Sequence, residues 1–318
     1  MSASKNPQRS GNPATRAAAE RHQHVDGRSK ITWVDWVGGA RLRTLPLAIA
    51  PVAAGAGIAQ MQQSFSLTLT LLALAVAVLL QIGVNYANDY SDGVRGTDEH
   101  RVGPARLTGS GLVNPKKVLA TALVFFGLAA VAGLVAVILS ERWAFLAVGA
   151  VAILAAWFYT GGKRPYGYAG LGEIAVFIFF GLVATVGTVW LQSDIIPQEA
   201  WITGTGVGML AVAVLIANNT RDIPTDKLVG KRTLSVRVGD RASRILFAFF
   251  VLAPFAAPGI YVLAYPMMIF ALFALIGAIP AAVIMLWARS AREMILALAL
   301  TSFTALAYGV LMGVAFAF

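Results

Sequence analysis

The stretch LTLTLLALAVAVLLQIGVNYANDYSDG, residues 67–93, changes character along its length. Its first part is almost wholly apolar and long enough for a membrane-spanning helix, which needs about 20 residues. Its end instead collects amide and carboxylate side chains. The chain of 318 residues is 58% hydrophobic and only 13% charged, with a mean hydropathy of +0.72. Soluble domains are usually about 45–50% apolar, so we expect an integral membrane protein.

Similar apolar segments follow one another along the chain, separated by short polar linkers. Gly and Pro occur within several of them, which membrane helices tolerate. The pattern predicts an all-α integral membrane protein built as a nine-helix transmembrane bundle. The predicted spans are residues 44–62, 67–87, 117–140, 143–160, 171–192, 200–219, 244–264, 266–287 and 293–317.

The first residues of the chain, 1–28, are polar and rich in Ser, Asn, Gln, Arg and Ala. Such a segment cannot bury enough apolar surface to fold. We therefore predict a disordered cytoplasmic tail there and a membrane domain over residues 29–318. Residues 31–43 mix tryptophans with charged side chains, which is typical of a helix in the membrane interface. The absence of cysteine excludes disulfides and thiolate chemistry.

The net charge of +10 is distributed unevenly over the predicted loops. With nine spans, Arg142 lies on the side opposite the N-terminus, and every other Lys and Arg among the 25 lies on the N-terminal side. Cytoplasmic loops carry such an excess. We therefore predict a multi-pass plasma membrane protein with its N-terminus and active site facing the cytoplasm. Topology then explains the basicity without a nucleic-acid partner.

Two polar clusters lie at the ends of the second and sixth predicted spans. In the first, Asn85, Asn88, Asp89 and Asp92 are spaced i, i+3, i+4 and i+7, which predicts one face of a helix. The second is ANNTRDIPTDKLVGKRTL, residues 217–234, in which a proline argues against one continuous helix. Their matching positions predict that both clusters face one cavity.

Carboxylate and amide oxygens are ligands suited to Mg²⁺, which proteins often hold with one or two carboxylates together with substrate phosphates. Interleaved Lys and Arg side chains would meet the remaining phosphate charge. Each cluster taken alone is equally well explained as helix-end charges facing water. The occurrence of two matching clusters on one side favours a shared metal–phosphate site.

Several longer motifs give the chain a resemblance to the UbiA-type intramembrane aromatic prenyltransferases, and within them to the 1,4-dihydroxy-2-naphthoate polyprenyltransferases of menaquinone synthesis. The resemblance covers residues 31–318 approximately. The motifs, in order, are GARLRTLPLAIAPV (39–52), GVNYANDYSDGVRGTD (83–98), RVGPARLTGSG (101–111), YTGGKRPYGYAGLGE (159–173) and NNTRDIPTDKLVGKRTLSVRVGD (218–240).

The resemblance implies a reaction and its partners. A polyprenyl group passes from a polyprenyl diphosphate to 1,4-dihydroxy-2-naphthoate, diphosphate and carbon dioxide leave, and demethylmenaquinone forms. Mg²⁺ is the implied cofactor, membrane lipid surrounds the protein, and no nucleic acid takes part.

Site residues follow from placing this chemistry on the matching motifs. The predicted catalytic residues are Asp89, Asp92, Asp222 and Asp226. The predicted metal ligands are Asn85, Asp89, Asp92, Asp222 and Asp226. The predicted substrate-binding residues are Arg43, Asn88, Tyr159, Lys163, Tyr166, Arg221 and Lys231.

Four questions stay open from the sequence. Glu173, at the start of the fifth predicted span, is either a site residue or an interfacial anchor, and Asp98 is either a metal ligand or a loop cap. The acceptor could be another aromatic compound, such as 4-hydroxybenzoate. A secondary transporter would also use repeats and acidic residues, although carboxylates gathered at helix ends on one side favour an enzyme site.

Overall fold

The apolar segments fold into helices in a computed structural model, which describes residues 31–97, 106–111 and 113–318. The predicted tail, residues 1–28, lies outside these ranges. Within them all regular structure is helical, which confirms the all-α class. The helices are α1 (Trp33–Gly39), α2 (Pro46–Met61), α3 (Leu67–Val94), α4 (Pro115–Ser140), α5 (Ala144–Phe158), α6 (Gly172–Trp190), α7 (Gln198–Arg221), α8 (Ile223–Leu228), α9 (Leu234–Val238), α10 (Asp240–Tyr261), α11 (Pro266–Trp287) and α12 (Ala291–Ala317).

Seven of the described helices, namely α3, α4, α6, α7, α10, α11 and α12, are long and apolar enough to cross a membrane. The segment Trp33–Thr44 and helix α2 together make an eighth candidate span, bent by 47°. Helix α5 has 15 residues and is shorter than a usual span. The protein is thus a multi-pass membrane protein, and the count of nine spans stays a prediction.

The predicted interfacial helix is divided into a short helix and a turn. Thr32 and Asp35 form a capping box that starts α1, and Trp33 is largely exposed. The helix ends before Arg41, whose backbone adopts the left-handed conformation with φ 54°. One 3₁₀ turn follows, and Pro46 then begins α2. This break separates the interfacial helix from the first span.

The centre of the bundle is formed by α7, which packs against α6, α10 and α12, while α12 also packs along α2. Helices α2 and α12 approach closely because small residues face each other. A Cβ added at Gly57 would lie 1.9 Å from the carbonyl oxygen of Gly313. Membrane helices commonly use glycine in this way to bring two backbones together.

Both polar clusters lie at helix ends, as expected. Helix α3 continues past the predicted end at residue 87 to Val94, so the whole first cluster is helical. Helix α7 ends at Arg221, and Asp222 separates it from α8. Pro224 occupies the first turn of α8, where its missing N–H removes no helical hydrogen bond. The second cluster is therefore a helix end followed by a new helix, as the proline predicts.

Helix α5 packs against α4 and α3 and has no buried residue. Val151, Leu154 and Phe158 are exposed on its outer face. Gly149, Ile153 and several small neighbours lie on its inner face, which lines the cavity described next. Helix α5 therefore forms a wall one helix thick.

Candidate active site

A cavity of about 630 Å³ opens among the helices and contains residues of both polar clusters in its wall. Most of its wall is apolar, contributed by α2 to α7. Its polar end is formed where α3 and α7 finish. The polar and charged side chains that line it there include Asn85, Asn88, Asp92, Arg106, Asn218, Asn219, Asp222, Asp226 and Lys231.

Asp92 is the most heavily engaged carboxylate at this end. The Arg106 guanidinium donates to its Oδ2 atom at 2.6 Å, and the Lys231 Nζ atom lies 3.6 Å from its Oδ1 atom. The Tyr168 hydroxyl also donates to Oδ1. Asp92 is nearly fully buried, and a buried charge is tolerated when it is paired and hydrogen-bonded. The cationic partners therefore keep a carboxylate available inside the protein.

Asp89 points away from the cavity, although it is on the same helix. Its Oδ2 and Oδ1 atoms accept hydrogen bonds from the backbone N–H groups of Leu107 (2.9 Å) and Thr108 (2.8 Å). The described cavity wall includes Asp92 and not Asp89. The carboxylate thus fastens the segment 106–111, which covers the end of α3. The proposed metal and catalytic roles of Asp89 stay predictions.

Helix geometry explains why Asp89 and Asp92, on the same helix, face different surroundings. At about 100° per residue, Gln81, Asn85, Asn88 and Asp92 fall within a stripe about 60° wide on α3. Asp89 lies beyond one edge of that stripe. The predicted single face therefore resolves into two: the stripe borders the cavity, and Asp89 meets the covering segment.

The two asparagines of the first cluster line the cavity and are held by other elements. The Asn85 Nδ2 atom donates to the Ala40 carbonyl oxygen at 2.9 Å and lies 3.3 Å from the Thr44 Oγ1 atom. The Asn88 Oδ1 atom accepts from the Thr160 hydroxyl at 2.7 Å. These bonds fix both side chains, so their oxygen atoms occupy set positions at the polar end.

In the second cluster both aspartates are paired with cations of the same cluster. The Arg221 Nε and Nη2 atoms donate to the two carboxylate oxygens of Asp222 at 2.7 and 2.6 Å. The Lys231 Nζ atom lies 3.9 Å from Asp226 Oδ1. Both aspartates line the cavity, whereas Arg221 is buried behind Asp222. Arg221 therefore holds a carboxylate in place rather than lining the described cavity.

The predicted basic contacts divide into two groups. Lys231 belongs to the second cluster and reaches the first, lying within 4 Å of both Asp92 and Asp226. Arg43 and Lys163 are exposed and are not part of the described cavity wall. The backbone carbonyl of Arg43 instead accepts a hydrogen bond from Ser302. The proposed substrate contacts of these two residues stay predictions.

Aromatic side chains form another part of the wall. Tyr159 and Tyr166 both line it and pack edge to face with ring centroids 5.6 Å apart. Tyr168 adds a third ring, with the Lys231 Nζ atom 4.4 Å from its centroid. Burial and the nearby Asp92 carboxylate raise the pKa of Tyr168, and burial raises the pKa of Tyr166 to about 12. Both phenols are therefore neutral at physiological pH.

Sequence reasoning missed Arg106 and Tyr168. Both lie inside motifs that carry the family resemblance, and those motifs were the signal that could have identified them. Arg106 contacts Asp92 and also donates to the Asn88 carbonyl oxygen at 3.0 Å. Glu173 accepts a hydrogen bond from Asn219 at 3.0 Å and lies behind the wall. Asp98 lies outside the described residues.

The donor set fits Mg²⁺ shared with a diphosphate better than a metal held by protein alone. No group of three or more His, Cys or acidic side chains gathers at one point in residues 31–97, 106–111 and 113–318. Asp92 and Asn88 instead border one side of the polar end, and Asp222 and Asp226 the other. Magnesium is often held by one or two carboxylates, with phosphate oxygens completing its shell.

Comparison with known proteins gives consistent matches. The profile of the UbiA prenyltransferase family matches residues 48–303. The 1,4-dihydroxy-2-naphthoate octaprenyltransferase of Mycobacterium tuberculosis H37Rv is 47% identical over 287 residues, covering 90% of this chain and 98% of that protein. The protein of the same name from Escherichia coli K12 is 36% identical over 215 residues, covering 66% of this chain and 70% of its own length.

Solved structures match the architecture at low sequence identity. A UbiA homologue from Archaeoglobus fulgidus bound to DMAPP and Mg²⁺ superposes with a TM-score of 0.60 at 15% identity, covering 86% of this chain and 97% of that one. An apo UbiA homologue from Aeropyrum pernix K1 gives 0.64 at 16% identity, covering 85% and 96%. At these identities the likeness establishes the fold.

Proposed function

The chain belongs to the UbiA prenyltransferase family, and we propose that it transfers a polyprenyl group from a polyprenyl diphosphate to 1,4-dihydroxy-2-naphthoate. Diphosphate and carbon dioxide leave, and a prenylated naphthalenediol forms. A separate two-electron oxidation, outside this reaction, then gives demethylmenaquinone. The observation that carries the proposal is an apolar cavity with one polar end, where Lys231 lies within 4 Å of Asp92 and Asp226 and Asp222 lines the same wall. Identity of 47% to a protein named for this activity, over nearly the full length of both chains, supports the choice of acceptor.

The polar end suits a departing diphosphate. Asp92, Asn88, Asp222 and Asp226 would hold Mg²⁺, which when bound neutralises the diphosphate and favours its departure. Lys231 and Arg106 bring positive charge to the same place. Such preorganised charge is usually the largest contribution to catalysis of this kind. The residues therefore favour cleavage of the allylic C–O bond, with the electron pair leaving on the diphosphate.

The apolar part of the cavity suits the rest of the reaction. The allylic cation must avoid water, and a cavity with mostly apolar walls excludes it. The ring faces of Tyr159, Tyr166 and Tyr168 can stabilise positive charge. A new C–C bond at the ring carbon bearing the carboxylate then allows carbon dioxide to leave, and its electron pair restores the aromatic ring.

The activity is tested with purified protein, Mg²⁺, a polyprenyl diphosphate and either 1,4-dihydroxy-2-naphthoate or 4-hydroxybenzoate. We expect a prenylated naphthalenediol by mass spectrometry, and release of labelled carbon dioxide from the carboxyl-labelled naphthoate. Turnover of hydroxybenzoate alone would contradict the proposed acceptor. Substrate flux across proteoliposomes without prenyl transfer would instead indicate a transporter.

The orientation is part of the same proposal: the polar end faces the cytoplasm of a cell with this protein in its plasma membrane. The chain contains no cysteine, so a single introduced cysteine reports one site. Lys163→Cys lies at the polar end, and Asp194→Cys lies beyond the other end of α6. In intact cells an impermeant maleimide should label Asp194→Cys and spare Lys163→Cys. The reverse pattern would contradict the orientation.

A further inference from the structure

A second polar group lies deeper in the cavity than the aspartates, where α3 faces the turn before α2. Arg41, Thr44 and Gln81 all line the cavity there. None of them belongs to the two acidic clusters. Along α3, Gln81 lies eleven residues before Asp92, which corresponds to about 16 Å at 1.5 Å per residue. Gln81 is thus well separated along α3 from the carboxylates that face the diphosphate.

The hydrogen bonds of this group fix the orientation of Gln81. The Thr44 hydroxyl donates its single hydrogen to the Arg41 carbonyl oxygen at 2.9 Å. Toward side chains it can therefore only accept, and the Gln81 Nε2 atom lies 2.8 Å from it. A rotated amide would place two acceptors against each other. The Gln81 NH₂ group therefore faces Thr44.

The remaining Gln81 oxygen is left unsatisfied. Gln81 is 7% exposed, and its Oε1 atom has no hydrogen-bond partner among the described residues. A buried acceptor without a partner costs roughly 1–3 kcal/mol. Buried polar groups in native proteins are nearly always paired, so this oxygen is suited to a donor on a bound molecule.

Arg41 contributes a cation under backbone strain. Its φ of 54° places a non-glycine residue in the left-handed region, which L-amino acids with a long side chain seldom adopt. Strained residues of this kind concentrate at functional sites. The conformation brings Arg41 to the cavity wall, whereas Arg43, two residues later, is exposed.

We propose that Arg41 and Gln81 form the subsite for the aromatic acid, in which the Arg41 guanidinium binds the carboxylate and Gln81 Oε1 accepts a hydrogen bond from the neighbouring ring hydroxyl. This inference rests on the proposed function and adds the residues that recognise its acceptor. Apolar residues beside the pair, including Leu47, Ala48 and Leu80, provide surfaces for a fused aromatic ring. The acceptor then lies deeper than the diphosphate, toward the apolar part of the cavity that takes the prenyl chain.

The test combines deletions in the ligand with deletions in the protein. The probes are 1-hydroxy-2-naphthoate, 2-naphthoate, which lacks the hydroxyl, and 1-naphthol, which lacks the carboxylate. Calorimetry in detergent measures their binding to wild type and to the variants Gln81→Met and Arg41→Asn. Asparagine tolerates left-handed backbone, so the second variant removes the charge without adding strain. Arg43→Asn is the matched control.

Wild type should bind 1-hydroxy-2-naphthoate about tenfold more tightly than either reduced probe, which corresponds to about 1.4 kcal/mol per lost contact. Gln81→Met should no longer prefer 1-hydroxy-2-naphthoate to 2-naphthoate, but it should still prefer 1-hydroxy-2-naphthoate to 1-naphthol. Arg41→Asn should show the opposite pattern, and Arg43→Asn should keep both preferences. Each preference is a ratio within one protein, so general loss of stability cancels. Gln81→Leu serves if Gln81→Met does not fold.

Unchanged preferences in both Gln81 and Arg41 variants would overturn the subsite, as would a rise only in the KM for polyprenyl diphosphate. Prenyl transfer to dihydroxynaphthoate by wild type is measured in parallel. If wild type carries out prenyl transfer but the variants keep both ligand preferences, the subsite is contradicted and the proposed function stands. If the ligand preferences change as predicted but wild type shows no prenyl transfer, the proposed function is contradicted and an aromatic-acid subsite remains. Absence of binding by all three probes overturns the subsite.

Discussion

The ends of α3 and α7 carry similar acidic motifs but hold their carboxylates differently. At the end of α3, Asp92 is paired with Arg106 and bonded to Tyr168, both from segments distant in sequence. At the end of α7, Asp222 is paired with its neighbour Arg221. The α3 end therefore depends on the segments that cover it, whereas the α7 end is organised by its own residues. Two motifs that look equivalent as sequence need not be equivalent in what keeps them in place.

The largest effect on activity is expected for the carboxylate that each helix end contributes to the cavity wall. Asp92→Asn and Asp222→Asn should each lower kcat/KM by at least about 10²–10³-fold, the range for losing one group that stabilises developing charge. Steady-state assays with saturating Mg²⁺ measure the loss. Asp240→Asn is the control, since Asp240 pairs with Arg244 on α10 away from the described cavity wall. Near-normal activity in either cavity variant would remove that carboxylate from the site.

Asp89→Asn is the most direct test of the difference between the ends of α3 and α7. One amide oxygen cannot accept from both Leu107 and Thr108 while an NH₂ group faces one of them. Hydrogen exchange without substrate or metal should therefore become faster in residues 106–111. Activity should fall by about tenfold, the equivalent of 1.4 kcal/mol.

The matched variant Asp226→Asn should leave that exchange unchanged, because Asp226 is on α8. If Asp89 instead acts as a metal ligand, Asp89→Asn will raise the Mg²⁺ concentration needed for half-maximal activity without accelerating exchange. The two measurements thus distinguish the role predicted from the sequence from the position seen in the structure.

Arg106→Gln tests whether the covering segment also supplies a substrate contact. Arg106 lines the cavity and pairs with Asp92, so the variant should raise the KM for polyprenyl diphosphate by about tenfold, or about 1.4 kcal/mol. Lys163→Gln should leave this KM within twofold, because Lys163 is exposed outside the described wall. An equal effect of both variants would indicate general attraction of the diphosphate rather than a fixed contact.

The smallest effect is expected for Tyr168→Phe, which removes one hydrogen bond to Asp92 and keeps the ring. Activity should fall only a few-fold, as for a bond worth about 1 kcal/mol. Because burial and Asp92 raise the pKa of Tyr168 above its ordinary value, the phenol stays protonated up to about pH 10. The alkaline limb of the pH profile should therefore be the same in wild type and variant, and a difference between them would assign that limb to Tyr168.

Much of the fold follows from local sequence. Apolar runs of span length predict helices because a bilayer forces backbone groups to bond internally, and the polar residues at the ends of α3 and α7 locate the site. Pro224 also predicts the break after α7, because its missing N–H suits the first turn of a new helix. These features need only the residues themselves and their immediate neighbours.

The rest depends on contacts that spacing does not encode. Helical periodicity puts Asn88 and Asp89 on different faces of α3, but only tertiary packing decides which face borders the cavity and which meets the segment 106–111. Sequence reasoning selected Arg43 as a substrate contact, whereas Arg41, with its left-handed backbone, lines the cavity and Arg43 is exposed. Such choices are made by tertiary packing, which a helical wheel cannot contain.

The thin wall formed by α5 bears on how the enzyme would handle donors of different size. Its inner face borders the cavity, its outer face is apolar and exposed, and none of its residues is buried. A tail longer than the cavity would therefore meet one lightly packed helix, and we expect this wall to select weakly for the number of isoprene units. The length of the product's side chain would then be decided upstream, by the reaction that elongates the polyprenyl diphosphate.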